Sequence, residues 1–312
     1  MSSSPSEHRV TSNANTSIEL PENYMRRTIA LLILPLLVAS VAFVGCGDDD
    51  DPIAVVNQSF NFKVGDTYTY DYYDRDMQNM QDATTKQVFV WTVLQTDLTM
   101  FSRSKVTEVE EVRYAADGTT ETGRSKIYFS VDTDGQLFMY DLFGAVLNRF
   151  SGDLDLSAYL DGITKVWIHV GSTKDANARV LVDEPQLLNQ TLTDVEVAGI
   201  MFDAQIVLGI RSQHLGRDSL TVAAGSYDAY STDNIIRVAI SNKDQITVSG
   251  IPIPANTSLV SDSVTTHFDL DLRDGILRQT LDGKTVSVAG LFSTDVTGFE
   301  MELTAATHAA AD

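Results

Sequence analysis

Alternating apolar and polar residues, interrupted by glycine-containing turns, limit what this chain can fold into more than any other feature. Thr67–Tyr72 alternates tyrosine with threonine and aspartate, and it follows a similar run at Ser59–Val64. Later runs of this kind meet at Asp274-Gly275 and Asp282-Gly283. A side-chain period of two is typical of β-strands, and Asp-Gly between such runs favours a hairpin turn. We therefore predict a mainly β, antiparallel domain with minor helix.

The N-terminal part of the chain has the pattern of an export signal. Arg26 and Arg27 precede an apolar run from Ile29 to Val44. Positive charge keeps the preceding side in the cytoplasm, so the residues after this run are expected to be exported. Cys46, the single cysteine among 312 residues, stands at the end of the run.

Phe43-Val44-Gly45-Cys46 resembles the lipobox of bacterial lipoproteins, with phenylalanine where leucine is usual. The resemblance implies cleavage before Cys46 and attachment of acyl chains, such as palmitate, to that residue. Two or more chains give stable anchoring, whereas one does not. The protein would then be anchored to a membrane by lipid and face the periplasm or the outer-membrane or cell surface. An uncleaved spanning helix and a plain secretory signal are the alternatives.

These features divide the chain into five predicted segments. They are a disordered or misassigned start at 1–24, a lipoprotein signal peptide at 25–45, a lipidated acidic tether at 46–57, the antiparallel β domain at 58–305 and a frayed tail at 306–312. The export signal and its acceptor cysteine therefore lie together, ahead of everything that we expect to fold.

Charge and cysteine content exclude several classes of protein. The formal net charge is −21, and it resides after residue 45 because the preceding residues carry equal numbers of basic and acidic side chains. We therefore expect no nucleic-acid partner and no electrostatic docking on anionic lipid. A single cysteine allows no intramolecular disulfide, so the core must hold the fold alone.

No motif for catalysis or metal binding is present. The chain lacks Gly-x-Ser-x-Gly, a glycine-rich phosphate loop and a dinucleotide-binding fingerprint. The histidines after Cys46 form no His-x-x-x-His pair, so zinc would require three of them to converge by folding. They are His169, His214, His267 and His308. We therefore predict no catalytic residue, no metal and no cofactor, and we do not expect an enzyme.

Four shorter segments give local predictions. Asp132-Thr133-Asp134-Gly135 lacks the glycine and glutamate that a calcium loop needs, so we predict a hairpin turn. Leu142–Leu160 is less regular and favours a short helix, and Pro185–Gln190 favours one helical turn. The prolines of Ile251–Pro254 indicate an edge strand.

Aromatic side chains are concentrated near the start of the predicted domain. Tyr68, Tyr70 and Trp91 are our candidates for an apolar ligand surface, because aromatic rings provide large contact areas and tyrosine adds a polar group. A cross-strand aromatic ladder within a packed sheet is the default explanation of the same residues.

Three further segments resemble a set found in many uncharacterised β-rich bacterial lipoproteins. They are Val64–Tyr70, Val222–Ala229 and Leu272–Arg278. Some such proteins look like half-barrels that carry lipids or lipoproteins, which implies a single strongly curved sheet here, with a β-sandwich as the alternative. The function implied is non-catalytic binding of an apolar ligand or lipid. A structural or adhesive surface lipoprotein with a closed core stays open.

Replacing Cys46 with serine tests the anchor. Because the hydroxyl does not replace the thiol as lipid acceptor, we expect Cys46→Ser to lose metabolic acyl labelling and to leave the membrane fraction. A variant that keeps its acyl label would contradict lipidation at this residue.

Overall fold

The computed structural model describes residues 60–151, 164–172, 177–197, 200–248, 250–288, 290 and 292–310. They belong to the second of the chain's two units, Ile53–Asp312, the first being Met1–Pro52. The predicted export signal, Cys46 and the acidic tether lie outside the described residues and stay predictions.

Strands account for most of the described residues. In chain order they are β1 (Thr67–Arg75), β2 (Gln87–Met100), β3 (Arg103–Ala115), β4 (Glu121–Val131), β5 (Gln136–Tyr140), β6 (Phe150–Ser151), β7 (Trp167–Ser172), β8 (Arg179–Val197), β9 (Ile200–Val222), β10 (Gly225–Asn242), β11 (Ile246–Val248), β12 (Ile251–Ile253), β13 (Ser258–Asp271), β14 (Gly275–Leu281), β15 (Lys284–Val288), β16 (Phe292–Val296) and β17 (Gly298–Thr307). The helical elements are α1 (Leu142–Leu147) and a 3₁₀ turn at Ala83–Thr85.

Twelve of these strands form one antiparallel sheet in the order β7-β5-β4-β3-β2-β1-β17-β14-β13-β10-β9-β8. The first and last strands, β1 and β17, pair in its middle and join its two halves. Two small sheets accompany it, one of β11 and β12 and one of β15, β16 and β6. The single antiparallel sheet confirms the predicted fold class, and the β-sandwich alternative is not adopted.

The register of the sheet keeps one buried face continuous across the joint between the halves. Tyr72 of β1 lies opposite Met301 of β17, which lies opposite Gln279 of β14. The same row continues through Phe268 of β13 to Thr232 of β10. All five side chains are buried, so this face, the inner face, is the one that packs the core.

The sheet curves until its edge strand β7 reaches the inner face of the other half. The hydroxyl of Ser212 on β9 donates a hydrogen bond to the backbone carbonyl of His169 on β7, at 2.8 Å. Gly171 of β7 lies so close to Leu270 of β13 that a Cβ there would collide with the leucine side chain. The inner face is therefore covered by the sheet's own edge, as a strongly curved sheet requires.

Several local predictions are confirmed. Asp132–Gly135 joins β4 to β5 as a turn, in which the carboxylate of Asp132 accepts hydrogen bonds from the backbone N–H groups of Asp134 and Gln136. Asp274-Gly275 joins β13 to β14, and the positive φ of 71° at Gly275 suits glycine. The short helix predicted after Leu142 is α1, and the proline-bearing β12 pairs with β11 alone.

Three local predictions are wrong. The alternating run Ser59–Val64 forms no strand over its described residues 60–64, and the first strand begins at Thr67. Pro185–Gln190 is not helical but lies within the edge strand β8, where the register shifts between Glu184 and Leu188 and so accommodates the proline. Asp282-Gly283 does not close a hairpin, because β14 and β15 belong to different sheets. A Cβ on Gly283 would lie 2.4 Å from the carbonyl oxygen of Asp76, so glycine serves close backbone approach there.

Asp66 ties the two ends of the domain together. Its buried carboxylate accepts hydrogen bonds from the backbone N–H groups of Lys63, at 2.9 Å, and Ala309, at 2.8 Å. It also accepts one from the hydroxyl of Tyr68, at 3.3 Å. β17 runs to Thr307, past the predicted domain end at residue 305. Ala309 is held by Asp66, which closes the turn Lys63–Asp66 before β1.

Removing this acceptor should weaken the whole domain. Asp66→Ala leaves buried donors without a partner, and we expect it to lower the free energy of unfolding by about 1–3 kcal/mol. Urea denaturation measures the loss. The control is Asp282→Ala, whose exposed side chain makes only a 3.4 Å ion pair with Arg75. We expect a loss below about 1 kcal/mol there, and equal losses in the two variants would contradict the role of Asp66.

Candidate ligand-binding site

A cavity of about 540 Å³ lies between α1 and the inner face of the sheet. We call it the α1 cavity. Strands from both sides of the β1–β17 joint contribute to its wall. Its lining residues are Tyr72, Asp74, Gln87, Phe89, Trp91, Glu111, Arg113, Ser125, Lys126, Ile127, Met139, Tyr140, Asp141, Gly144, Ala145, Asn148, Arg149, Gln279, Phe299 and Met301.

Aromatic side chains from three neighbouring strands form part of the wall. The rings of Tyr72 and Phe89 stack with centroids 4.6 Å apart, and Phe299 stacks on Tyr72 from the other side at 5.7 Å. Trp91 lies two residues after Phe89 on β2, so both side chains are on the same face of the sheet. Alternation on β1, β2 and β17 therefore brings these rings together.

A buried carboxylate, Glu111, adds a polar group to this wall. One of its oxygens accepts a hydrogen bond from the indole N–H of Trp91, at 2.9 Å. The other accepts from the Nε of Arg113, at 2.7 Å, and from the hydroxyl of Ser125, at 3.1 Å. Three donors thus satisfy a charge that would otherwise be costly to bury.

Arg149, just after α1, covers the aromatic wall. Its guanidinium lies 5.3 Å from the ring centroid of Tyr72 and 5.2 Å from that of Phe299. It forms an ion pair with Asp74 at 2.9 Å and donates to the hydroxyl of Tyr72. Burial raises the pKa of the Tyr72 phenol, although the positive charge of Arg149 works against it. The phenol is therefore neutral.

The amphipathic character of α1 sets how it sits on the sheet. Leu142, Phe143, Val146 and Leu147 are buried, whereas Ala145 is exposed and lines the cavity. The helix begins after Asp141, whose left-handed backbone turns the chain out of β5. The carboxylate of Asp141 accepts a hydrogen bond from Thr164, at 2.9 Å. The apolar residues hold α1 in the core, and Gly144, Ala145 and Asn148 line the cavity beside them.

The structure separates the three predicted ligand residues. Trp91 lines the α1 cavity, but Tyr68 and Tyr70 are each 1 % exposed and are absent from its lining. Tyr68 is engaged with Asp66, and Tyr70 packs against Trp91 with ring centroids 4.8 Å apart. Tyr68 and Tyr70 therefore have the packed roles that the aromatic-ladder explanation assigns.

Sequence reasoning missed Glu111 and Arg149 as lining residues. Alternation along β3 carried a signal for the first, because it places Glu111 on the same face as Val109 and opposite Trp91. Arg149 had no such signal. Its position depends on where α1 packs, and a period of two does not report that.

Comparison with known proteins adds little to this geometry. No family model matches the chain, and no curated protein matches it. One similar solved structure is a putative lipoprotein from Parabacteroides distasonis ATCC 8503, at 12 % identity and a TM-score of 0.39, with 80 % of this chain and 97 % of that chain covered. Another is a putative exported protein with YmcC-like fold from Bacteroides fragilis NCTC 9343, at 11 % identity and a TM-score of 0.34, covering 80 % and 99 %. At these TM-scores neither carries an argument for this chain.

The structure also bears on metals and membrane spans. Within its described ranges, no group of three or more His, Cys, Asp or Glu side chains is arranged to hold a metal ion. No helix in those ranges has the length and apolar character to cross a membrane.

His267 belongs to a second polar cluster, beside a cavity of about 330 Å³. Its Nδ1 lies 2.7 Å from Asp233 and its Nε2 lies 3.0 Å from Asp269. Asp269 is buried and also accepts hydrogen bonds from Ser231 and Arg278. Burial by itself would lower the pKa of His267, but the hydrogen bonds to the two carboxylates outweigh it and raise the pKa to about 9.

This raised pKa predicts a pH-dependent contribution to stability. Because the folded state holds the proton more tightly, the contribution is fully present below the unfolded pKa of about 6.5 and is lost as pH rises through about 9. We expect His267→Gln to remove the fall in free energy of unfolding across this window, measured by urea denaturation at several pH values. Asp233→Asn should retain the fall at a lower midpoint, and an unchanged profile in both variants would contradict the assignment.

Proposed function

We propose that this chain is an exported lipoprotein, anchored through Cys46, whose β domain binds a small amphipathic ligand in the α1 cavity. The export signal and the single cysteine after it support the first part. The anchor would hold the domain at the periplasmic or outer surface of a membrane. The protein needs no catalytic group for this role.

One observation carries the binding role, namely a cavity between a helix and a curved sheet. Its volume of about 540 Å³ falls within the range of about 300–1,000 Å³ typical of small-molecule sites. The lining mixes aromatic and thioether side chains with amides and charged groups. Of the apolar ligands and lipids expected from the sequence, this mixture fits best a ligand with both apolar and polar parts.

A structural or adhesive lipoprotein with a closed core is the second candidate. The packing of Tyr68 and Tyr70 favours it, because two of the three side chains that suggested a ligand surface are instead part of the core. The two candidates differ in whether the α1 cavity is occupied by a small molecule in the cell.

Filling the cavity should distinguish them. Ala145 is exposed on α1 and lines the cavity, so Ala145→Phe places a ring in the ligand space without disturbing the buried face of the helix. We expect the wild-type chain to co-purify with a small molecule at near-stoichiometric amount, and Ala145→Phe to lose most of it. Mass spectrometry of organic extracts of the purified full chain measures the ligand.

Ala305→Phe provides the matched control, because Ala305 is equally small and exposed but lies on β17 away from the cavity lining. It should retain the wild-type amount. Wild-type chain that carries no small molecule, or equal amounts in all three proteins, would refute the binding role and favour the closed-core candidate.

A further inference from the structure

The charges around the α1 cavity are already paired within the protein. Arg113, Lys126 and Arg149 are the cationic side chains among its described lining residues. Arg113 lies 2.7 Å from Glu111, and Arg149 lies 2.9 Å from Asp74. Lys126 lies 2.6 Å from an oxygen of Glu108, outside the lining. Each cation of the cavity thus has a carboxylate partner.

A ligand with a negative headgroup would have to compete with these partners. If the anionic headgroup formed an ion pair with the guanidinium of Arg149 instead, the partly buried carboxylate of Asp74 would lose its cation. If the headgroup paired with Arg113, the buried carboxylate of Glu111 would lose one of its three hydrogen-bond donors. Glu111 is buried, so removing one of its donors is unfavourable, and the partly exposed Asp74 would keep only the hydroxyl of Tyr72 as a donor. The cavity is therefore poorly suited to anions.

Uncharged polar groups find better partners. The amide side chains of Gln87, Asn148 and Gln279 line the same cavity, and each amide offers both donors and an acceptor for hydroxyl or carbonyl groups. Met139 and Met301 lie among the aromatic rings and provide adaptable apolar contacts.

We propose that the ligand of the α1 cavity is an uncharged amphiphile, with an apolar chain or ring system and a headgroup of hydroxyl or ester groups, of which a monoacylglycerol is the simplest example. This rests on the proposed binding function and narrows it to one class. The paired charges exclude anionic lipids from the cavity, and the amides select neutral hydrogen-bonding headgroups.

Photo-crosslinking of the full chain in membranes tests the class directly. One probe is a monoacylglycerol with a diazirine in its chain, and the other is an alkyl sulfate with the same diazirine-bearing chain and a headgroup that stays ionised. Peptide mapping by mass spectrometry counts only crosslinks to cavity-lining residues. We expect the neutral probe to label them at least about tenfold more than the anionic probe, a ratio equivalent to about 1.4 kcal/mol.

Asp74→Asn should change this preference. The substitution preserves shape but removes the negative charge that pairs with Arg149, so the guanidinium becomes available to the sulfate. We expect anionic labelling to rise several-fold relative to neutral labelling in the same variant. Asp282→Asn, which neutralises an exposed aspartate outside the cavity lining, should leave the ratio unchanged.

The outcomes separate this inference from the proposed function. Anionic labelling that equals or exceeds neutral labelling, and that Ala145→Phe abolishes, would overturn the neutral class while keeping the binding site. A ratio unaffected by Asp74→Asn would likewise overturn the argument from paired charges. Cavity labelling that Ala145→Phe leaves unchanged, or no labelling by either probe, would refute the binding function itself.

Discussion

The pairing of β1 with β17 is the interaction on which the rest of the structure depends. It joins β2–β5 and β7 on one side to β14, β13, β10, β9 and β8 on the other, and without it the large sheet would be two separate sheets. The wall of the α1 cavity crosses this joint, because Tyr72 comes from β1 and Phe299 from β17. Asp66, just before β1, accepts a hydrogen bond from the backbone of Ala309, just after β17, and so holds the outer ends of these two strands together. The candidate site therefore exists only when the two ends of the domain are paired.

Much of the fold could be predicted because a period of two is a local property. β1 shows the expected alternation, with Tyr68, Tyr70 and Tyr72 buried and the residues between them partly exposed. Turn chemistry was informative where the backbone needs a positive φ, as at Gly275. It misled at Gly283, where the absence of a side chain serves close contact with another backbone segment. A glycine needed for close approach looks the same in sequence as one needed for a turn.

The candidate site was less predictable, because it depends on which buried residues face packed neighbours and which face a gap. Tyr70 and Tyr72 share a strand, a face and a residue type, yet Tyr72 lines the cavity and Tyr70 does not. The position of α1 decides between them. The segments Val64–Tyr70, Val222–Ala229 and Leu272–Arg278, distant in sequence, are linked through β17 and His308. The backbone N–H of Ala224 donates to Leu303 of β17, and Asp274 lies 2.7 Å from His308, which faces Tyr68.

The central position of β1 has a mechanical consequence. Phe60 precedes the turn that leads into β1, and β1 is hydrogen-bonded on both sides, to β2 and to β17. A pull along this strand from its N-terminal end would load two antiparallel ladders in shear, so many hydrogen bonds would have to yield together. An edge strand such as β8 would instead peel away one hydrogen bond at a time. A force applied at this end would therefore be resisted by both ladders together, without opening the sheet.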